Sequence, residues 1–223
     1  MNRSSTLVEV SGIVKAFGEH CALNSVSLSV CQNEVILLLG ANGAGKSTLL
    51  RIAAGLSRAD RGLVDVCREP CVGFCSHHGS LYAKLTVREN IALTARALGV
   101  SPQEVQDACS TWGIDKYCTK EVRELSKGMY GRVALARTFL GSPRVVLLDE
   151  PSSNLDQEGV DILCSKVSAG ATERAVVIAT HDISRLQDVA TRVVVLERGV
   201  VVADSLNNSD RGEVLAQFYG ASR

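Results

Sequence analysis

Two stretches of this sequence carry the residue types that phosphate chemistry needs. The first is GANGAGKST, Gly40 to Thr48, which follows the apolar run VILLL, Val35 to Leu39. It matches the spacing G-x-x-x-x-G-K-[ST]. Gly40, Gly43 and Gly45 let the backbone curl so that the loop's N–H groups, those of Ala41, Asn42 and Ala44 among them, point at phosphate oxygens. Lys46 supplies a point charge for the outer phosphates. Ser47 offers a hydroxyl to Mg²⁺, a hard ion that prefers oxygen. The helix that runs on through Thr48 to Ala54 adds its positive end, and Gly55 closes it. Average residue usage gives a chance match in about 1% of chains this long, and a strand before and a helix after lower that further.

The second stretch is VVLLDEP, Val145 to Pro151, where Asp149 and Glu150 end a buried run. Ligand sites in open α/β sheets lie at the carboxyl ends of strands. Asp149 is suited to orient Mg²⁺ through its water shell, and Glu150 to polarise an attacking water. A merely solvated strand end is the plainer reading, and the phosphate loop displaces it.

A third cluster is less specific. Cys67, Cys71, Cys75, His77 and His78 crowd into twelve positions. Residues 71, 75 and 77 would share one face of a strand, so a mixed metal site is geometrically conceivable. The Cys-x₃-Cys-x₃-Cys spacing is not a common zinc or cluster pattern. Packing of the cysteines as small strand hydrophobes is the simpler expectation. The other cysteines, at 21, 31, 109, 118 and 164, are scattered and need no functional role.

The elements that must position these groups follow from the pattern of apolar residues. LVEV (Leu7 to Val10), VSLSV (Val26 to Val30) and GLVDV (Gly62 to Val66) read as half-buried strands. VILLL, VVLL (Val145 to Leu148), AVVIA (Ala175 to Ala179) and VVVL (Val193 to Leu196) are continuous runs that suit a parallel sheet covered on both faces. ERG and then VVVA after the last run read as a hairpin. Thr86 with Glu89 predicts a capping box opening a helix that stops at Gly99, and Ser101, Pro102 and Glu104 predict the next helix. The region 80–140 is thus expected to be helical and framed by strands, and Trp112 and Tyr117 to pack within it. The class is α/β.

Composition narrows the setting. Twenty-four basic and twenty-four acidic residues cancel, which leaves no strong footprint for nucleic acid. The longest apolar run, Val35 to Leu39, is far short of the roughly 20 residues a membrane span needs. MNRSSTLVEV lacks the apolar core of a secretory signal. The expectation is a cytoplasmic protein that acts at a membrane only through other chains.

Further motifs carry a resemblance. LSKGM, Leu125 to Met129, followed by YGRVALAR, resembles the signature segment of ABC-type ATPases. PSSNLD, Pro151 to Asp156, looks like that family's D-loop, and ATHD, Ala179 to Asp182, like its histidine switch. Phe17, in KAFG, stands where the family places an aromatic against adenine. The order and spacing match over nearly the whole chain.

The resemblance implies a P-loop NTPase core with a mainly parallel sheet, an antiparallel β subdomain and an inserted helical subdomain, in one domain over residues 1–223. It implies ATP and Mg²⁺ as ligands, with Ser47 and Asp149 toward the metal, partly through water. Two such domains would pair head to tail, each with itself or a similar cassette. Ser126 and Gly128 then resemble the contacts made to the partner's γ-phosphate. Glu150 resembles the catalytic base, and His181 the residue holding the γ-phosphate and attacking water. Lys46 completes the catalytic set, and Asp156 belongs to communication across the dimer. Lys127 and Met129 depart from the commoner signature residues. Gly131 stands where a glutamine is frequent, at a cost of about 1 kcal/mol against alanine in a helix.

Alignment of GFCSHHGSLYAKLTVREN places His77 where the family has a glutamine that senses nucleotide. Imidazole is a poor direct ligand for Mg²⁺, so His77 would act through water. Transmembrane permease subunits are the implied partners, felt through the segment from Gly79 to Leu85, with peripheral attachment at the cytoplasmic face of the cell membrane. The short connection from Gly55 to Val72 and the stretch SHHGSLYAKLT look like the haem exporters of cytochrome c maturation. The LSKGM segment also resembles subunits of drug or polysaccharide exporters. A soluble ABC ATPase serving iron–sulfur cluster assembly, and a non-catalytic cassette, are the alternatives from other classes.

Overall fold

The computed structural model describes residues 6–66, 72–76, 81–170, 174–181, 186–206 and 210–221. Two sheets and a set of helices build it. Strands β1 (Thr6–Phe17), β2 (His20–Cys31) and β4 (Arg61–Val66) form an antiparallel sheet in the order β2-β1-β4. β3 (Val35–Leu39), β5 (Val72–Cys75), β6 (Val145–Asp149), β7 (Ala175–Thr180), β8 (Arg192–Glu197) and β9 (Val200–Asp204) form the second, in the order β5-β6-β7-β3-β8-β9. Its first five strands run parallel and β9 returns antiparallel to β8.

The continuous apolar runs are explained by which face each residue serves. Side chains alternate across a strand. Val35, Leu37 and Leu39 enter one core with the helical region, while Ile36 and Leu38 enter another with the antiparallel sheet and helix α1 (Lys46–Ala53). Both faces of the central sheet are therefore covered, and every residue of β3 is fully buried. The expected β1 and β2 are longer in the structure than the alternating runs alone suggest. Several register shifts let β1 bend, so its inward positions do not keep strict alternation.

Between β5 and β6 lie α2 (Val87–Leu98), α3 (Pro102–Thr111) and α4 (Lys127–Phe139), with short 3₁₀ turns among them. Both predicted capping boxes are present: Thr86 accepts from the Glu89 N–H and Ser101 from the Glu104 N–H. Gly99 ends α2 at φ 67°. Trp112 and Tyr117 are buried as expected, with the Trp112 and Phe139 ring centroids 5.7 Å apart. Helices α5 (Gln157–Gly170) and α6 (Arg211–Ala221) follow β6 and β9. Among the described residues no helix is long and apolar enough to cross a membrane.

Gly131 has a positive reason for its place. A Cβ there would come within 2.9 Å of Leu155 Cδ2 and 3.0 Å of the Asn154 carbonyl. The helix gives up propensity at this position because the turn after β6 packs directly on its backbone.

Candidate active site

The carboxyl ends of the parallel strands converge on one cavity of about 570 Å³. β3 leads into the loop from Gly40, β6 ends at Asp149 with Glu150 next, and β7 ends at Thr180 with His181 next. Asn42 to Thr48 form the floor, Phe17, His20 and Ala22 one wall, and Asp149, Glu150 and His181 another, with Arg51 at the edge. Gly45 precedes α1 at φ 106°, a backbone conformation that favours glycine. A side chain there would also strike the Ala22 carbonyl and Leu23. The first turn of α1 holds no acid, so its positive end is unopposed by its own side chains.

Lys46 is 6% exposed, and its ammonium donates to the carbonyls of Gly40 at 2.7 Å and Ala41 at 3.1 Å. Burial pushes its pKa down from 10.5, while Glu150 and Asp149 pull it back up. Its Nζ lies 4.0 Å from Glu150 Oε1. Ser47 Oγ donates to Asp149 Oδ1 at 2.9 Å. Two hard oxygens are thus paired at the mouth of the loop, a donor set that fits Mg²⁺ completed by phosphate and water. Among the described residues no three His, Cys, Asp or Glu side chains group to hold a metal ion on their own.

Glu150 is the hinge of the wall. It sits at φ 51°, ψ 50°, in the left-handed region. Its Oε1 is 2.8 Å from His181 Nδ1, and its Oε2 accepts from Thr180 Oγ1 at 3.3 Å. An ionised carboxylate only accepts, so the tautomer that satisfies this contact carries its proton on Nδ1.

Phe17 is 55% exposed at the cavity's edge. Lys15 Nζ stands 5.4 Å from its ring centroid and is held by Asp60 at 2.8 Å. His20 lies opposite Phe17 in the β1–β2 hairpin. Sequence reasoning missed His20, Arg51 and Thr180. The two-residue turn between Phe17 and His20 would have placed the first of these.

Ser126, Gly128 and Asp156 do not line this cavity. Ser126 caps α4, accepting from the Met129 N–H at 3.3 Å, as its sequence position predicts. Asp156 is bonded within its own chain to Arg132, a residue the sequence reading did not single out. His77 falls outside the described residues, as do Cys67, Cys71, His78 and Asp182. Of the cysteine–histidine cluster only Cys75 is described. It is buried, and burial pushes its thiol up to about 11, the behaviour of a packed hydrophobe.

The ABC transporter family model matches residues 23–153. The Nod factor export ATP-binding protein I of Bradyrhizobium diazoefficiens is 30% identical over 99% of this chain and 78% of its own length. The sulfate/thiosulfate import ATP-binding protein CysA of Methylococcus capsulatus is 34% identical over 96% of this chain and 68% of its own length. A dimeric post-hydrolysis ATP-binding cassette bound to ADP and Pi has the same fold, with a TM-score of 0.78 at 23% identity over 89% of this chain and 97% of that one. The chain belongs to the ABC transporter family and is an ATP-binding, ATP-hydrolysing cassette of the P-loop type.

Proposed function

We propose that two such cassettes, identical or similar, pair head to tail and hydrolyse ATP to drive transmembrane permease subunits from the cytoplasmic face of the cell membrane. The observation that carries this is the placement of Glu150, whose carboxylate meets His181, Thr180 and Lys46 at the wall of the phosphate-loop cavity. Glu150 takes the proton of an attacking water. His181 holds that carboxylate in line and reaches the γ-phosphate. Lys46 and the N–H groups from Gly40 to Thr48 hold the phosphates, and the exposed ring of Phe17 takes the adenine. Ser47 and Asp149 would hold Mg²⁺, which supplies neutralisation of phosphate charge when bound.

Ser126 and Gly128 begin a helix whose first turn carries no acid, away from the chain's own cavity. A head-to-tail partner gives that positive end an anion to face. The dimeric state of the similar solved cassette supports pairing of two such chains. His77 remains the proposed nucleotide sensor on the strength of its sequence position. Turnover then responds to pH between about 6 and 7.5. A flat profile there, the same in His77→Gln, would remove that role.

For cargo, the similar proteins support an exporter of the drug or polysaccharide kind above a haem exporter. The Nod factor export proteins match at 28% and 30% identity, and none of the relatives described is a haem exporter. The sulfate/thiosulfate import ATP-binding proteins match at 32% and 34% identity. The test is to trap Glu150→Gln with ATP in its native cell, solubilise membranes and identify what co-purifies by mass spectrometry. The proposal expects multi-spanning permease chains and an ATP-dependent dimer. Haem-handling maturation factors in their place would restore the haem reading. A monomer that stays in the soluble fraction with no spanning partner would defeat the transporter role.

A further inference from the structure

Arg132 is 4% exposed and yet lines no part of the nucleotide cavity. Its Nε donates to Asp156 Oδ1 at 2.9 Å, and its Nη2 to Asp156 Oδ2 at 2.6 Å and to Glu158 Oε2 at 2.7 Å. Asp156 Oδ1 also accepts the Gly159 N–H at 3.0 Å, which fixes the start of α5. The two acids are well exposed, with side chains 54% and 69% accessible. Water would solvate the acids without help, whereas the buried guanidinium needs them as its partners. What a buried guanidinium adds is direction, because its planar fork fixes both oxygens of one carboxylate.

The surface around it is shaped for the same contact. Gly128, Gly131 and Arg132 share one face of α4 by their spacing. A Cβ on Gly128 would lie 3.4 Å from Asp156, and one on Gly131 would meet Leu155 and Asn154. The turn Pro151–Asn154 and the residues after it therefore lie flat on the helix backbone, fastened by Arg132 at the far end. At the near end the Glu150 N–H donates to the Ala179 carbonyl at 2.8 Å, and the Glu150 carbonyl accepts from Ser153 Oγ at 2.8 Å. Glu150 itself holds a left-handed conformation that a residue with a side chain keeps only where its surroundings impose it.

We infer that Arg132 is a positioning residue for hydrolysis: its fork on Asp156 seats the turn that begins at Glu150 against the helix that begins at Ser126, so the two keep one register within the chain. The inference rests on the proposed function, in which Glu150 acts in its own cavity while Ser126 and Gly128 reach the partner's nucleotide. A cassette that meets its partner through one end of this unit then adjusts Glu150 through the other.

The test uses the full chain with Mg-ATP and the variants Arg132→Lys and Asp156→Asn. Arg132→Lys keeps the charge and the alkyl stem but loses the fork. Phosphate release is measured over a range of ATP, with ATP sites per chain counted by equilibrium binding and the thermal midpoint recorded. The expected result is a fall in kcat of about tenfold to a hundredfold per ATP site, with KM and site count close to wild type. Glu158→Gln leaves the fork on Asp156 and is expected to retain most of the wild-type kcat. Wild-type kcat per site in either Arg132→Lys or Asp156→Asn overturns the inference. So does a loss of activity that only follows loss of ATP sites and a fallen midpoint, which is what a purely structural arginine produces. If Glu150→Gln releases phosphate as fast as wild type, the parent reading fails and takes this one with it. Wild-type kcat in Arg132→Lys beside an inactive Glu150→Gln sinks the inference alone.

Discussion

Two buried arginines make nearly the same bonds in different places. Arg192, at the start of β8, donates to both oxygens of Asp204 at 2.9 and 2.6 Å, to Glu34 at 3.3 Å and to the Ser29 carbonyl at 2.9 Å. Arg132 forks onto Asp156 and reaches Glu158. The difference is in the acids. Asp204 and Glu34 are 10% and 17% accessible, while Asp156 and Glu158 are more than half accessible. Arg192 also stands at the amino ends of the parallel strands, paired in register with Ile36, away from the cavity. The first clamp closes the fold, tying β8 to β9 and to the β2–β3 connection. The second leaves its acids at a surface and spends its geometry on the turn that carries Glu150.

That contrast can be broken by experiment. Arg192→Ala strands buried carboxylates, so the expected loss is about 3–5 kcal/mol in urea unfolding. The ATPase rate per folded chain should change little, because no part of the cavity is touched. A large loss of rate at unchanged stability would erase the distinction between the two clamps. Gly131→Ala gains helix propensity but forces a methyl into Leu155 and Asn154. Overpacking of this kind costs about 1–3 kcal/mol, and the displaced turn should lower kcat as well. If the variant is more stable and fully active, the close seating of the turn is not needed. Thr86→Ala removes one capping box far from either clamp. The expected cost is about 1 kcal/mol with kcat unchanged, which gives the size of a stability loss without a functional one.

The smallest effect is in the acid response. The Arg132 hydrogen bonds hold the Asp156 carboxyl below its ordinary 3.8. Burial raises Asp204, but its bonds to Arg192 and the Leu206 N–H together bring it below 3.8 as well. A depressed carboxyl contributes stability that is complete above the unfolded value and is lost as pH falls through the folded one. Both contributions should be present at neutral pH and disappear below about 3.8. Removing Asp204 should flatten the acid limb of unfolding more than removing Asp156, which is better solvated. Equal flattening by Asp204→Asn and Asp156→Asn would contradict the difference drawn between them.

The sequence makes one of these regions far easier to read than the other. VILLL and the loop after it are contiguous, so one short window holds strand, phosphate loop and helix start. Glu150 and His181 stand at the ends of continuous apolar runs, where a parallel sheet must put its ligands. The capping boxes are local for the same reason. The Arg132–Asp156 clamp joins residues 24 apart, and no periodicity announces it. Gly131 looked like a weakness because its partner, the turn after β6, is invisible until the helix is packed. The expectation for Asp156 concerns the dimer, and within its own chain its carboxylate also engages Arg132 and the Gly159 N–H. Thr180 lies just past the apolar run AVVIA, within ATHD, and no local pattern announces that its hydroxyl meets Glu150, 30 residues away.

The central claim is that Glu150, held by His181 and Thr180, is the base of an ATPase whose phosphates sit on Lys46. Steady-state phosphate release from wild type, Glu150→Gln and Lys46→Ala, with ATP binding measured on each, tests it most directly. Glu150→Gln should bind ATP as wild type does and lose about 10²–10⁴-fold in rate, whereas Lys46→Ala should lose binding itself. Wild-type phosphate release from Glu150→Gln would contradict the account.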